Sequence, residues 1–306
     1  MKTLFPCIIT FLILIACNDN QFLEYDTKAS EPQLSLSGFV CEDSIYVCLT
    51  ETFQAEYMMD DTISTTIVTD TSATVTIYED GSYFCTLQAK SIKETHWATG
   101  EITSKNYYVA YNSVIPGKKY VVSVTHGKYG SLSAETRMPI IPLISVDTQL
   151  VYQKVTLNKF TPSEIIYYDT MVWNTYFTLA LQDQEVDDSF YKFDFQINVI
   201  NIAKIGLKFN DANTLYNDEY LYYLLTDKNF NGGTYDLVFS VFQPYADSIS
   251  VDFTCLSADY YNYLISMIAY HEAERDPFSK PVNLYSNVSN GFGFFGAYQK
   301  FRFQNY

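Results

Sequence analysis

From Leu34 onward, apolar residues recur at every second position, and the segments between them carry turn-forming residues. Leu34–Val40 and residues 45–53 are rich in β-branched and aromatic side chains around Glu42-Asp43-Ser44, which predicts a pair of strands. Ala73-Thr74-Val75-Thr76-Ile77-Tyr78 alternates apolar and polar. Asp80-Gly81 then supplies a two-residue hairpin turn, because glycine accepts the positive φ needed there, and the turn is expected to set Phe84 opposite Ile77. Pro116-Gly117 opens another turn, 120–125 is a strand, and 127–130 returns the chain into 131–138. Short strands at this spacing predict a mainly β protein whose N-terminal part, 34–138, is an Ig-like or transthyretin-like β-sandwich.

Met138-Pro139-Ile140-Ile141-Pro142 contains two prolines that cannot donate to a β-ladder, so a junction is expected at 139–142. A second β-rich domain, 143–306, follows, with strands predicted at 143–153, 171–181, 191–200, 234–242 and 248–255. One helix is predicted over 257–275. Ser257 is its N-cap, Asp259 lies in its first turn, and Asp276-Pro277 ends it. Tyr261, Leu264, Ile265, Ile268 and Ala269 share one face at helical spacing and are expected to pack on the second sheet.

The first residues follow a different pattern. Met1-Lys2-Thr3 carries one positive charge, and the apolar run over 4–15 is broken only by Pro6 and Thr10, the layout of a secretory signal. A run of about 12 residues is too short for the roughly 20 that span a bilayer. Its end, Leu14-Ile15-Ala16-Cys17, resembles the lipobox of bacterial lipoproteins. The resemblance implies a signal peptide over 1–16, cleavage between Ala16 and Cys17, and lipid on Cys17. Residues 17–33 then read as a polar tether of at most about 55 Å when extended. Each buried methylene of an acyl chain contributes about 0.8 kcal/mol, so several chains would hold the protein at the membrane permanently.

Composition narrows the function further. With 48% hydrophobic and 17% aromatic residues, the chain is a folding sequence rather than a disordered one. Its formal net charge is −16, and removal of 1–16 takes away only the positive Lys2. Such a chain repels phosphate backbones and anionic headgroups, which argues against nucleic-acid binding and leaves the lipid as the means of membrane attachment. Cys41, Cys48, Cys85 and Cys255 do not have the spacing of a disulfide framework and are expected as half-buried thiols.

No segment carries a recognisable catalytic, metal or cofactor site. Gly291-Phe292-Gly293-Phe294-Phe295-Gly296 matches the dinucleotide-binding pattern in letters, but too little chain follows it for a βαβ unit. These glycines are expected where the tail packs closely against other backbone. His271-Glu272 lacks a second histidine four residues on, where Arg275 stands, so the helical zinc motif is absent. His271 is instead expected to favour the dipole at the helix end, and His96 and His126 lie in unrelated segments. Asp60-Asp61 and Glu185/Asp187-Asp188 lack the oxygen spacing of a calcium loop and read as solvated loops. Tyr107-Tyr108, Tyr167-Tyr168, Tyr222-Tyr223 and Tyr260-Tyr261 favour a binding surface, with one ring of each pair expected to face outward.

Several of these segments together carry a resemblance. They are the lipobox, the strand pair after Leu34, Val114-Ile115-Pro116-Gly117-Lys118-Lys119-Tyr120, the proline-containing junction, the Tyr-Tyr-x-Tyr-Leu run of the helix, and the tail from Pro281 to Tyr298. In these the chain resembles a family of bacterial outer-membrane lipoproteins from Bacteroidetes-type bacteria, known only as the domain of unknown function DUF4249. Members tend to be encoded beside TonB-dependent outer-membrane transporters. The resemblance therefore implies a non-enzymic accessory or binding partner of such a barrel, without cofactor. Asn18-Asp19-Asn20-Gln21 offers one acid after the lipid cysteine, so the face of the outer membrane stays open. Two alternatives remain at this stage: a stand-alone surface glycan- or peptide-binding protein, and a hydrolase using paired carboxylates.

Overall fold

The computed structural model describes residues 33–51, 72–95, 102–160, 164–183, 188–199, 208–209, 215–217, 222–243, 246–276 and 278–305. Ala16, Cys17, Asp60, Asp61, His96, Glu185 and Asp187 lie outside them. The described chain is mainly β, in three sheets with one α-helix in its C-terminal region.

β1 (Leu34–Val40) and β2 (Ile45–Glu51) form an antiparallel hairpin in which Val40 faces Ile45. Leu34, Leu36, Val40, Ile45, Val47 and Leu49 alternate into one face, as the sequence periodicity predicts. They meet a four-stranded sheet made of β3 (Thr74–Glu79), β4 (Ser82–Thr86), β7 (Lys119–His126) and β8 (Gly130–Arg137), in the order β4-β3-β7-β8. That sheet contributes Val75, Ile77, Tyr120, Val122, Val124 and Leu132 to the same core. Fully buried Tyr120 satisfies its hydroxyl by accepting from the Ile115 amide at 2.9 Å and donating to Glu79 at 2.5 Å. Asp80 and Gly81 both take positive φ, 45° and 83°, as the tight turn between β3 and β4 requires.

The expected pairing of Ile77 with Phe84 is not found. Ile77 faces Cys85, because a bulge between Ile77 and Tyr78 leaves one extra residue on β4. The bulge packs both Phe84 and Cys85 against the core, and the Phe84 ring meets Tyr120 edge-on at 5.7 Å.

β5 (Gln88–Thr95) and β6 (Ile102–Ala110) extend the hairpin sheet beyond β2. The same sheet continues on the other side of β1 through β17 (Phe292–Asn305), which runs parallel to β1 from Ser35↔Phe292 to Val40↔Ala297. From Tyr298 onward β17 pairs antiparallel with β16 (Ala246–Leu256). β11 (Phe190–Val199), β14 (Tyr222–Thr226) and β13 (Leu215–Asn217) complete nine strands in the order β13-β14-β11-β16-β17-β1-β2-β6-β5. One sheet thus takes strands from both sides of residues 139–142.

The glycines of the tail serve this seam. Gly293, at φ 106°, lies against the Leu36 backbone, and a Cβ on Gly296 would come within 2.9 Å of Tyr260 Cβ. Asn287 locks the approach, its amide donating to the Phe295 and Glu135 carbonyls and its oxygen accepting from the Phe295 amide.

The third sheet has the order β12-β15-β10-β9, from β9 (Leu143–Phe160), β10 (Ile165–Gln182), β12 (Lys208–Phe209) and β15 (Thr234–Gln243). Its Phe177, Leu179, Leu181 and Leu237 pack on Tyr191, Tyr223, Leu225 and Phe253 of the nine-stranded sheet. The opposite face of that sheet, at Leu224 and Leu256, carries α1 (Ala258–Arg275) through Leu264, with Tyr261, Ile265 and Ile268 around it. Burial on both faces explains why Tyr223-Leu224-Leu225 is apolar without alternation. The helix begins as predicted, with Ser257 Oγ accepting from the Tyr260 amide.

Candidate functional site

β9 and β10 pair over 18 residues each, from Leu143↔Gln182 to Phe160↔Ile165, without a register shift. Strands predicted as 143–153 and 171–181 are therefore both longer. β15 accompanies β10 only from Gln182 back to Trp173. Beyond Trp173, toward Ile165, β10 has β9 as its only strand neighbour among the described residues. Among the described residues the hairpin there is a two-stranded ribbon.

Side chains two apart on a strand share a face. On β10 the row Leu181, Leu179, Phe177 is buried in the second core, and the same row continues outward as Trp173, Met171, Tyr167 and Ile165. Phe177 is 0% exposed, whereas Trp173 is 49%, Met171 46% and Tyr167 68% exposed. Across the ribbon, Leu150 and Tyr152 extend the row on β9 in the same manner. Trp173 and Tyr152 are register partners with ring centroids 4.8 Å apart. A largely apolar row, interrupted by Thr175 and by Asp169, thus begins as core and ends as surface, and among the described residues β15, the strand neighbour of β10 beside Phe177, ends at Trp173.

The ribbon has its own polar ties. Asp169 accepts from Lys154 at 2.7 Å and from Thr156 Oγ1 at 2.8 Å, and these bonds, the lysine first, hold its carboxyl below the usual range. Tyr176 donates to Gln153 Oε1 at 3.3 Å. On the other face, Ile166 and Tyr168 are also exposed, so both rings of Tyr167-Tyr168 face solvent, not one as expected. A ribbon without a covering layer has no inside to receive the second ring. Elsewhere the pairs differ: Tyr108 and Tyr223 are buried, and Tyr260 and Tyr261 pack into the helix core.

A cavity of about 740 Å³ lies between the 139–142 connection and the start of α1, lined among others by Ile140, Pro142, Asp188, Phe190 and Leu256. Buried Asp183, also in its wall, accepts from the Tyr191 hydroxyl at 2.8 Å and the Gly232 amide at 3.0 Å, so both oxygens are engaged. Behind it, fully buried Asp227 accepts from the Ser189 amide at 2.7 Å. Its carboxyl is pushed up by burial and by the charges of Asp183 and Asp188. The hydroxyls of Tyr46 and Tyr298 lie 3.1 Å apart beside Cys41, and burial pushes Cys41 and both phenols upward, opposite to the activation of a nucleophile.

The histidines are tied to local structure. His126 accepts the Lys128 and Tyr129 amides on Nδ1, both at 3.1 Å, which places its proton on Nε2, 2.8 Å from Ser72 Oγ. His271 Nδ1 lies 3.3 Å from Glu274 on the last turns of α1. Among the described residues, no group of three histidine, cysteine or carboxylate side chains could hold a metal. No disulfide joins the four described cysteines. Cys48 and Cys85 are half-buried as expected, but Cys41 and Cys255 are buried. No helix among the described residues is long and apolar enough to cross a membrane.

The sequence pattern had missed Trp173, Met171, Ile165, Leu150 and Tyr152 as site residues. The available signal is length: the β-favouring residues of β10 run over 18 positions, well past the usual five or six of a strand.

The family profile described as "Domain of unknown function (DUF4249)" matches residues 21–304. No curated protein matches the chain. Among solved structures, the Fcho1 Mu homology domain of Danio rerio with bound Eps15 peptide is similar at 9% identity. The match covers 88% of this chain and 92% of that one, but its TM-score of 0.21 carries no argument about fold or function.

Proposed function

Since the chain belongs to the DUF4249 family, we propose that it is a non-enzymic outer-membrane lipoprotein, anchored through Cys17 and docking on a TonB-dependent transporter as an accessory or binding partner. The observation that carries this reading is the exposed cluster of Leu150, Tyr152, Ile165, Tyr167, Met171 and Trp173 on the overhanging ribbon, a mostly apolar face crossed by the Lys154–Asp169 ion pair. Tyrosine and tryptophan bury large area with little loss of side-chain freedom, which suits a contact surface. With aromatic rings offering 150–250 Å² each, roughly half of it open, the row presents on the order of 700 Å², near the ~800 Å² per partner of a standard interface.

The charge pattern supports the same reading. Between 149 and 173 the chain carries Lys154, Lys159, Glu164 and Asp169, a balanced set in a strongly acidic protein. Both proteins would be held in one membrane, so tethering raises the effective concentration and a modest interface suffices.

The test is purification of the lipidated full-length chain from gently solubilised membranes, beside a variant carrying Ile165→Ser, Tyr167→Ser and Trp173→Ser. A barrel enriched with the parent and lost with the variant supports docking through the ribbon. Equal enrichment with both, or none with either, overturns it. Cys17→Ala should release the protein from the membrane or leave it uncleaved, whereas membrane-bound protein of normal size would refute the anchor.

A second reading, a stand-alone glycan- or peptide-binding protein, draws on the Tyr152–Trp173 ring pair as a stacking platform. Binding of purified protein to a glycan or peptide array, abolished by Trp173→Ala without any barrel present, would favour it. The hydrolase alternative is weakened by Asp183, whose carboxylate is already committed to Tyr191 and Gly232.

A further inference from the structure

β9 is an edge strand along its whole length. β10 pairs with it on one side, and no strand pairs with the other side among the described residues. Edges of this kind are normally blunted by proline, a bulge, or shortness, because unpaired backbone N–H and C=O groups template another strand. β9 has 18 residues in regular register with no proline, glycine or bulge, and of the charged side chains that also guard an edge it carries only Asp147, Lys154 and Lys159.

The geometry points to a second copy of this chain as the occupant, with β9 pairing antiparallel to β9 about a two-fold axis at Gln153. Such an axis stands perpendicular to the sheet, so like faces coincide and odd-numbered positions meet odd ones. β9 holds one carboxylate, Asp147, and two amines, Lys154 and Lys159. Parity bars Lys154 from Asp147, which leaves position 159 as its cationic partner. Placing 147 opposite 159 sets Gln153 opposite itself and pairs 146–160 of each copy in full. By symmetry the aspartate–lysine apposition occurs twice, and opposite charges across a strand pair are favourable. The same register sets Val151 against Val155, and Tyr152 beside Lys154 of the second copy.

The charge of −16 on each chain does not prevent this pairing. Remote charges are screened beyond about 8 Å at physiological ionic strength, and the paired segment is itself nearly neutral. The dimer and the barrel reading share Leu150 and Tyr152 of β9 but use different groups, the backbone edge of β9 for the dimer and the exposed side chains of the ribbon face for the barrel, so the Gln153→Cys cross-link reads the dimer alone.

The test uses the full-length chain in its membrane. In Gln153→Cys the two introduced thiols would face each other with Cα atoms about 4.5–5.5 Å apart, within disulfide reach. Diamide should yield a covalent dimer on a non-reducing gel. Lys159→Cys alone should yield none, because its two copies lie about 40 Å apart at 3.3–3.4 Å per residue. In the Gln153→Cys background, Lys159→Asp should reduce the cross-link several-fold, and adding Asp147→Lys should restore it, which separates lost pairing from lost folding. No dimer with Gln153→Cys overturns the proposal. So does equal cross-linking at 153 and 159, or failure of the exchanged pair to restore it.

Discussion

Gly293 lies so close to Leu36 that any Cβ on it would collide with the Leu36 carbonyl oxygen, and its φ of 106° is one that side chains rarely adopt. This contact sits in the parallel pairing of the last strand with the first. Gly293→Ala should therefore destabilise the protein by at least about 3 kcal/mol, since strain and collision add. Gly81 also has positive φ but has nothing within 4 Å, so Gly81→Ala should cost only about 1 kcal/mol. Urea unfolding of both variants checks the contrast, and equal losses would show that the seam contributes nothing special.

Asp252 and Arg302 face each other across β16 and β17 in a two-bond fork, Nε to Oδ1 at 2.5 Å and Nη2 to Oδ2 at 2.6 Å. The Arg302 bonds hold the Asp252 carboxyl below its ordinary 3.8. A depressed carboxylate stabilises the fold above its unfolded pKa, and the contribution is lost as pH falls through the folded value. Asp252→Asn should cost about 1 kcal/mol near neutrality, because Arg302 is more than half exposed and solvent screens the pair. The stability curves of parent and variant should converge as pH drops below the ordinary carboxylate range. Curves that stay parallel to the acid limit would refute the pairing.

Phe177 and Tyr167 occupy the same row of β10 but opposite ends of its burial. Phe177→Ala should lose about 3–5 kcal/mol by opening a cavity in the second core. Tyr167→Ala should lose no more than about 1 kcal/mol, the worth of a cross-strand pair on an open ribbon. Denaturant midpoints measured side by side decide this, and a large loss at Tyr167 would mean that the outer ribbon is structural.

Cys255 is buried, and its thiol is pushed up first by burial and then by the charge of Asp183. Half-buried Cys85 is raised by burial alone. Iodoacetamide at neutral pH should modify Cys85 before Cys255, with Cys255 reacting only on unfolding. Peptide mass analysis over time reads the order, and early labelling of Cys255 would contradict its placement.

Local features of the fold were legible without coordinates. Alternation placed most strands, Asp80-Gly81 announced its turn through the positive φ that glycine allows, and Ser257 marked the helix start by its capping oxygen. Each of these signals acts within a few residues, where periodicity and backbone sterics suffice. The register of β4 escaped, because a single extra residue between Cys85 and Tyr83 leaves no mark in the alternation of so short a strand. The candidate surface escaped for a related reason: Phe177 and Trp173 look alike in the pattern, and only the extent of the opposing sheet decides which is core.

What the sequence by itself determined is the mainly β class and the helix with its cap. What only the tertiary structure decided is the partnership of β17 with β1, the nine-stranded sheet that follows from it, and the ribbon that, among the described residues, has no third strand at its outer end. Strands nearly a chain length apart carry no mutual address in their periodicity. Their pairing is selected by shape, here by glycines that let two backbones approach where side chains would not fit.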